Sequence, residues 1–209
     1  MISKFVGASA LAIGLAVGAG AAQAQQQPAA QPPAAQQPAQ QPSAQQRPAQ
    51  QAQKHDDAAK DFIKTAIQHN HAEIDAGKLA QEKAKSDAVK QFGAMMAKDH
   101  AEANEKAGAV AKVLDVDPPD SADMMHKASY LKLKVLQGDT FDRSYINDMV
   151  QDHEKDVKEF EKAAGGADQA ATYAKEMLPK LKAHLEAAKK LDAQLNQSTV
   201  GSGNTNQSK

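Results

Sequence analysis

Apolar residues recur at helical spacing through most of the chain, and this pattern predicts four long helices and one short one. Their predicted bounds are about 57–84, 87–114, 122–137, 141–164 and 168–196. Ser86 and Asp168 precede two of these segments and are predicted to cap them. No segment alternates with period two over enough residues to indicate a strand, so the chain is predicted to be all-α.

The four long apolar stripes have similar lengths, which is typical of helices that pack as a bundle. The link between the first and second helices is short enough to require an antiparallel hairpin. The short helix of roughly 16 residues could span about 24 Å, enough to run along a bundle as a crossover. The predicted fold is therefore a ferritin-like four-helix bundle with one extra short helix between the second and third long helices.

The amino-terminal pattern predicts an export signal. Residues 1–24 contain one cation, Lys4, followed by an apolar run over 5–20 and the small-residue end Ala22-Gln23-Ala24. This is the layout of a secretory signal peptide cleaved after Ala24; the alternative is an apolar segment retained as a membrane anchor. The signal predicts a periplasmic or otherwise exported protein with no integral membrane span after cleavage.

Two segments outside the helical pattern lack material for a core. Residues 25–53 contain 13 Gln, 8 Ala and 6 Pro, so they are predicted to form a disordered linker. Residues 197–209 are polar and contain glycine, and they are predicted to form a disordered tail. The helical domain is therefore predicted to cover residues 54–196.

Composition narrows the function classes. The chain has no Cys, which excludes disulfide scaffolds, thiolate metal sites and cysteine nucleophiles. It carries 25 basic and 26 acidic residues, and this balance gives no electrostatic basis for nucleic-acid binding. The sequence identifies no protein partner and is compatible with a homo-oligomer.

Ionisable side chains occupy the apolar stripe of every long helix: Glu73, His100, His153 and His184. Each lies within about one turn, some 5 Å, of the predicted midpoint of its helix, so the four should share one layer whichever way each helix runs. Burial without partners would cost several kcal/mol. Imidazole and carboxylate are ligands of Zn, Fe, Mn and Cu. The pattern predicts a buried transition-metal site with these four residues as ligands.

Further polar residues could orient the imidazole rings of this layer. Those proposed for that role are Asp99, Tyr145, Asp152 and Asp156. The remaining histidines, His55, His69, His71 and His126, are predicted to lie at the edges of the stripes or outside them. The alternative to a metal site is a hydrogen-bonded polar cluster that only sets the helix register.

No catalytic arrangement is visible in the pattern. Di-iron carboxylate bundles need Glu-x-x-His on two helices, whereas Ala97, Val150 and Leu181 stand three residues before the predicted histidine ligands. The sequence therefore favours a non-enzymatic protein that stores, buffers or senses a metal. The alternative is an envelope or stress-related structural or interaction module.

An ordered set of short motifs carries a family resemblance. It comprises Ala72-Glu73-Ile74 with Gly77-Lys78-Leu79-Ala80, Phe92 through Asp99-His100 with Asn104, Phe141-Asp142-x-x-Tyr145, Asp152-His153, and Leu178-Pro179 followed by His184. Over about 57–192 the chain resembles the domain of unknown function 4142 family, secreted bacterial proteins grouped with the ferritin-like superfamily. The resemblance implies a ferritin-like bundle and export, with no established activity and no known catalytic residue.

Overall fold

The computed structural model describes the backbone of residues 46–202 and the side chains of residues 53–197. Over this range the chain is entirely helical, with α1 at Gln46–Lys83, α2 at Asp87–Val113, α3 at Met124–Val135, α4 at Gly138–Ala164 and α5 at Gln169–Ser202. No helix in the described range is both long and apolar enough to cross a bilayer. The all-α prediction is confirmed.

The four long helices form a bundle made of two hairpins. α1 packs along α2 and α4 packs along α5, while α2 contacts α5 and α1 contacts α4 to complete the bundle. α3 lies in the connection between the hairpins and packs against α1 and α4. This confirms the predicted four-helix bundle with a short helix between the second and third long helices.

The ends of the bundle helices extend beyond the predicted domain. α1 begins at Gln46, within the segment predicted to be a linker, and α5 continues to Ser202, within the segment predicted to be a tail. Pro48 falls in the first turn of α1, where a helix tolerates proline because those amides lack intrahelical acceptors. The predicted signal peptide, the preceding part of the linker and the end of the tail lie outside the described residues.

Carboxylates stabilise the starts of α2 and α5, but one predicted cap differs. Asp168 accepts from the Ala171 amide at 2.7 Å, as predicted, whereas the Ser86 side chain makes no capping bond. Instead, the buried carboxylate of Asp142 on α4 accepts from the backbone amides of Lys85, at 2.9 Å, and Ser86, at 2.8 Å. The α1–α2 turn is thereby held by the other hairpin.

The apolar core is divided into two halves along the bundle. Ile63, Ala107, Phe160 and Ala174 belong to one half; the other contains Ala80, Phe92, Tyr145 and Ala188, among others. On each long helix a buried polar segment lies between the positions assigned to the two halves, as with His100 on α2. A polar layer therefore crosses the middle of the bundle.

Close contact between α1 and α2 depends on two glycines. A Cβ atom added to Gly77 would lie 2.6 Å from the Gly93 carbonyl oxygen, and one added to Gly93 would lie 2.7 Å from the Ala80 Cβ. Both distances are too short for a side chain, so glycine permits this approach. On α1 this contact lies about one turn beyond Glu73.

Candidate metal centre

Three buried histidines from three helices converge in the polar layer. The ring centroids of His100 and His153 are 5.6 Å apart, and each lies 5.5 Å from the centroid of His184. One ring nitrogen from each residue lies within 4.8 Å of the other two. The three side chains are at most 3% exposed. We call His100, His153 and His184 the inner cluster.

Each ring of the inner cluster is held through one nitrogen. His100 Nδ1 lies 2.9 Å from the Asn70 amide oxygen, His153 Nδ1 lies 3.0 Å from the Met149 carbonyl oxygen, and His184 Nε2 lies 2.9 Å from Asp99 Oδ2. All three partners are acceptors, so each of these nitrogens carries the proton and donates it. The Asn70 amide is oriented to accept because its Nδ2 donates to the Tyr173 hydroxyl at 3.3 Å.

The second nitrogen of each ring is buried without a hydrogen bond. His100 Nε2, His153 Nε2 and His184 Nδ1 have no hydrogen-bond partner among the described residues. With the opposite nitrogen protonated, each carries an sp² lone pair. A ring held through one nitrogen with the other available is the usual arrangement of a histidine metal ligand.

The surroundings of the inner cluster keep its rings neutral. Burial lowers the pKa of His153 to about 4, despite the opposing charge of Asp156. Burial and the neighbouring histidines hold the pKa of His100 well below its ordinary value. Burial also lowers the pKa of His184, although the hydrogen bond to Asp99 opposes it. At neutral pH, protons therefore do not compete for these lone pairs.

Glu73, the predicted fourth ligand, is buried in the same layer but is not a member of the three-histidine group. Its Oε2 has no hydrogen-bond partner among the described residues. Burial raises the pKa of Glu73 well above its ordinary value, and the charges of Asp152, Asp156 and Asp148 raise it further. Its side chain lines a cavity with residues of α3 and α4.

The residues predicted to orient the rings divide between two places. Asp99 holds a ring of the inner cluster, but the ring is that of His184 and not that of its neighbour His100. Asp156 bonds His69 at 2.7 Å, and Asp152 lies 4.0 Å from His126 Nε2. The Tyr145 hydroxyl has no hydrogen-bond partner among the described residues.

Two supports of the inner cluster were absent from the sequence prediction. Asn70 lies on the apolar stripe of α1, and an amide at such a position is the signal that could have identified it. The Met149 carbonyl is four residues before His153, a backbone acceptor that a residue-type pattern does not reveal.

The expectation that His69 and His126 lie at the stripe edges or outside is wrong for His69. This side chain is 7% exposed, and its ring centroid lies 4.7 Å from that of the half-buried His126 on α3. α3 packs against α1, and His126 is carried against His69 by this contact. His71 is half-buried and His55 is exposed.

The fold and the site together define an all-helical bundle whose central layer contains three neutral, convergent imidazoles. A transition metal is the group that this donor set could hold.

The family described as Domain of unknown function (DUF4142) matches residues 41–191, and the chain belongs to this family. Among curated proteins, none matches. Two solved structures are similar in fold. A DUF305 fragment from Deinococcus radiodurans is 12% identical, with a TM-score of 0.59 over 66% of this chain and 96% of that chain. A DUF305 protein from Streptomyces coelicolor, described as secreted, is 13% identical, with a TM-score of 0.57 over 66% of this chain and 92% of that chain.

Proposed function

We propose that this protein is an exported, non-enzymatic metal-binding protein that holds one transition-metal ion between His100, His153 and His184. Its role would be to store, buffer or sense that metal. Glu73 is not required as a ligand in this proposal, because the three-histidine group does not include it.

One observation carries the proposal: three convergent rings each use one nitrogen for a hydrogen bond and bury the other without a partner. A buried polar atom without a partner costs about 1–3 kcal/mol, and here three such costs fall within one small cluster. A metal ion would satisfy all three lone pairs together. We infer that His100 Nε2, His153 Nε2 and His184 Nδ1 are the ligand atoms.

The spacing of the rings is compatible with a mononuclear site after a small adjustment. Metal–nitrogen bonds of about 2.1 Å at tetrahedral angles place ligand nitrogens about 3.4 Å apart, and one nitrogen from each ring already lies within 4.8 Å of the other two. Neutral imidazoles suit Zn, Cu and Fe. Three protein ligands leave a further position on the metal for water or another small ligand.

The proposal of export rests on two observations. Residues 1–24 have the composition of a signal peptide, and a protein of similar fold is described as secreted. Amino-terminal sequencing of the protein recovered from the periplasmic fraction should give Gln25 as the first residue. Recovery in the cytoplasm with Met1 intact would contradict export.

The test of metal binding uses the full protein purified without a metal-affinity tag. After chelator treatment, the metal-free protein is titrated with Zn²⁺, Cu²⁺, Mn²⁺ or Fe²⁺, and bound metal and melting temperature are measured. A free metal concentration 100 times the dissociation constant should stabilise the fold by about 2.7 kcal/mol. His100→Gln should bind one equivalent fewer than the wild type, while His71→Gln, a change at a half-buried histidine outside the cluster, should bind as the wild type does.

The alternative function makes the opposite prediction. If the polar layer only sets helix register, His100→Gln leaves metal content unchanged and lowers the melting temperature, because Asn70 loses its partner. Absence of stoichiometric metal in the wild type, with no shift on adding any of the four ions, would overturn the metal-binding proposal.

A further inference from the structure

A second group of histidines and carboxylates lies on the side of the bundle where α3 crosses α1 and α4. We call it the α3 cluster: His69, Asp123, His126 and Asp152. One ring nitrogen of His69, one of His126 and one carboxylate oxygen of Asp123 lie within 4.8 Å of one another. Unlike the inner cluster it is partly open, since the His126 and Asp123 side chains are 15% and 30% exposed.

Carboxylates orient both rings of the α3 cluster. His69 Nδ1 lies 2.7 Å from Asp156 Oδ1, and His126 Nδ1 lies 2.6 Å from Asp123 Oδ2. Asp123 Oδ1 already accepts from the amides of Met125 and His126 at the start of α3, so Asp123 acts mainly to fix this ring. Each imidazole is thereby left with Nε2 for another partner, as in carboxylate–histidine–metal arrangements.

A carboxylate oxygen of Asp152, on α4, is a third donor beside the two ring nitrogens. Asp152 Oδ1 lies 4.0 Å from His126 Nε2, which is too long for a hydrogen bond. It is a separation that a bridging cation could shorten.

The adjoining cavity supplies an independent observation, because it is lined by buried carboxylate oxygens that have no hydrogen-bond partner in the described part of the chain. It lies between α1, α3 and α4, and its lining includes Glu73, His126, Asp148 and Asp152. Glu73 is 2% exposed, and both Glu73 Oε2 and Asp148 Oδ2 are buried with no hydrogen-bond partner among the described residues. Lys132 compensates only the negative charge of Asp148, since its Nζ lies 3.6 Å from Asp148 Oδ1.

We propose that the α3 cluster is a second cation site, in which His69 and His126 bind a divalent transition metal such as Zn²⁺ and Asp152 moves closer than its present 4.0 Å from His126 to complete the ligands. Glu73 and Asp148 compensate the charge of the metal from the cavity. The mixed nitrogen and oxygen donors suit Zn²⁺, Mn²⁺ or Fe²⁺. Because its ligands come from α1, α3 and α4, the bound metal would tie α3 to the bundle. The partial exposure of the site would let its metal exchange faster than metal in the inner cluster.

The two sites are separated experimentally by single substitutions in the full protein. Zn²⁺ binding to the chelator-treated protein is measured by isothermal titration and by elemental analysis. We expect two equivalents in the wild type, one in His126→Gln, one in His100→Gln and two in the control His71→Gln. Asp152→Asn, which keeps the side-chain size, should weaken the remaining Zn²⁺ site of His100→Gln by at least about 10-fold, because loss of a partner that only orients a ligand already costs that much.

Each outcome has a distinct meaning. If His126→Gln keeps the wild-type stoichiometry, or if His100→Gln binds no Zn²⁺ at all, the α3 site is overturned. If His100→Gln binds as much Zn²⁺ as the wild type and His126→Gln binds none, the result supports metal binding at the α3 cluster and contradicts metal binding at the inner cluster. Circular dichroism of each variant checks that loss of metal does not reflect loss of fold, and Asp152→Asn provides a second test if His126→Gln is unstable.

Discussion

The inner cluster and the α3 cluster use the same side chain in opposite surroundings. The inner rings lie between two apolar halves of the core and are held by an amide, a backbone carbonyl and one carboxylate. The rings of the α3 cluster are both held by carboxylates, in a region with further acidic groups and access to water. Burial dominates the surroundings of the inner cluster, and opposite charge dominates those of the α3 cluster.

This difference reverses the direction in which the histidines are perturbed. Burial lowers the pKa of His153 to about 4. Burial also acts to lower the pKa of His69, but the hydrogen bond and charge of Asp156 outweigh it and the pKa is raised. Two histidines with comparable burial are therefore set apart by one carboxylate contact. The inner cluster favours neutral rings, whereas His69 in the α3 cluster is shifted toward the protonated form.

The largest expected effect is on stability when a ring is removed from each cluster. In the metal-free protein, His153→Ala should lower the free energy of unfolding by about 2–4 kcal/mol, because a fully buried ring leaves a cavity. His126→Ala should cost less than about 1 kcal/mol, because this partly exposed ring mainly loses its pairing with Asp123. Urea unfolding with chelator present measures both.

A refilled variant separates volume from polarity in the inner cluster. His153→Leu restores apolar volume without a polar atom and should recover most of the loss in His153→Ala. A cost in His153→Leu equal to that in His153→Ala would show that the hydrogen bond to Met149, and not packing, stabilises this position.

The next largest effect is on the pH dependence of stability, to which His153 and His69 contribute in opposite directions. The folded-state pKa of His153 lies below its unfolded value of about 6.5, so the unfolded chain binds the proton more readily. Stability present above pH 6.5 is therefore lost as pH falls toward 4, by about 3 kcal/mol. His69 has a raised folded-state pKa, so its contribution is fully present below pH of about 6.5 and is lost as pH rises through the folded value.

Unfolding of the chelator-treated protein between pH 4 and pH 8 measures this contrast. His153→Gln should be less sensitive to acid than the wild type, and His69→Gln should be more sensitive. Parallel stability curves for the wild type and both variants would show that the two clusters do not differ in protonation as described.

The smallest effect concerns the hydrogen bonds that position the inner rings. Asp99→Asn removes the charge that holds His184 Nε2 and should weaken metal binding at the inner site by about 10-fold. Asp87→Asn, at an exposed acid of the same helix, is the matched control and should leave the affinity unchanged. Equal metal affinities in the wild type and both variants would show that Asp99 does not contribute to metal binding at the inner cluster.

Most of the fold could be predicted because helical periodicity is a local property of the chain. The apolar stripes located α2 and α4 to within a few residues, and the short segment after Pro118-Pro119 was recognised as α3. The ends of α1 and α5 were harder to predict, since Gln and Ala are compatible with both a helix and a linker. The role of Asp142 in holding the α1–α2 turn joins residues more than 50 positions apart, so no local pattern reveals it.

The inner histidines could be predicted in the same way, since three rings near the midpoints of long helices must share a level in any bundle. The hydrogen-bond partners of these rings could not be predicted from the sequence. Asp99 adjoins His100 in sequence yet bonds His184, and Asp156 follows His153 by three residues yet bonds His69. On a helix, adjacent residues point about 100° apart and residues three apart point about 60° apart, so closeness in sequence does not determine which ring a carboxylate reaches.

The sequence alone determined the number of helices, their apolar faces and the level at which ionisable groups are buried, because each depends on spacing along one helix. Only the tertiary structure decided which nitrogen of each ring is occupied, why Glu73 lies beside the α3 cavity and how His69 becomes enclosed. Those features depend on the rotation of each helix about its axis and on the position of α3. Both are set by packing between segments that are distant in the chain.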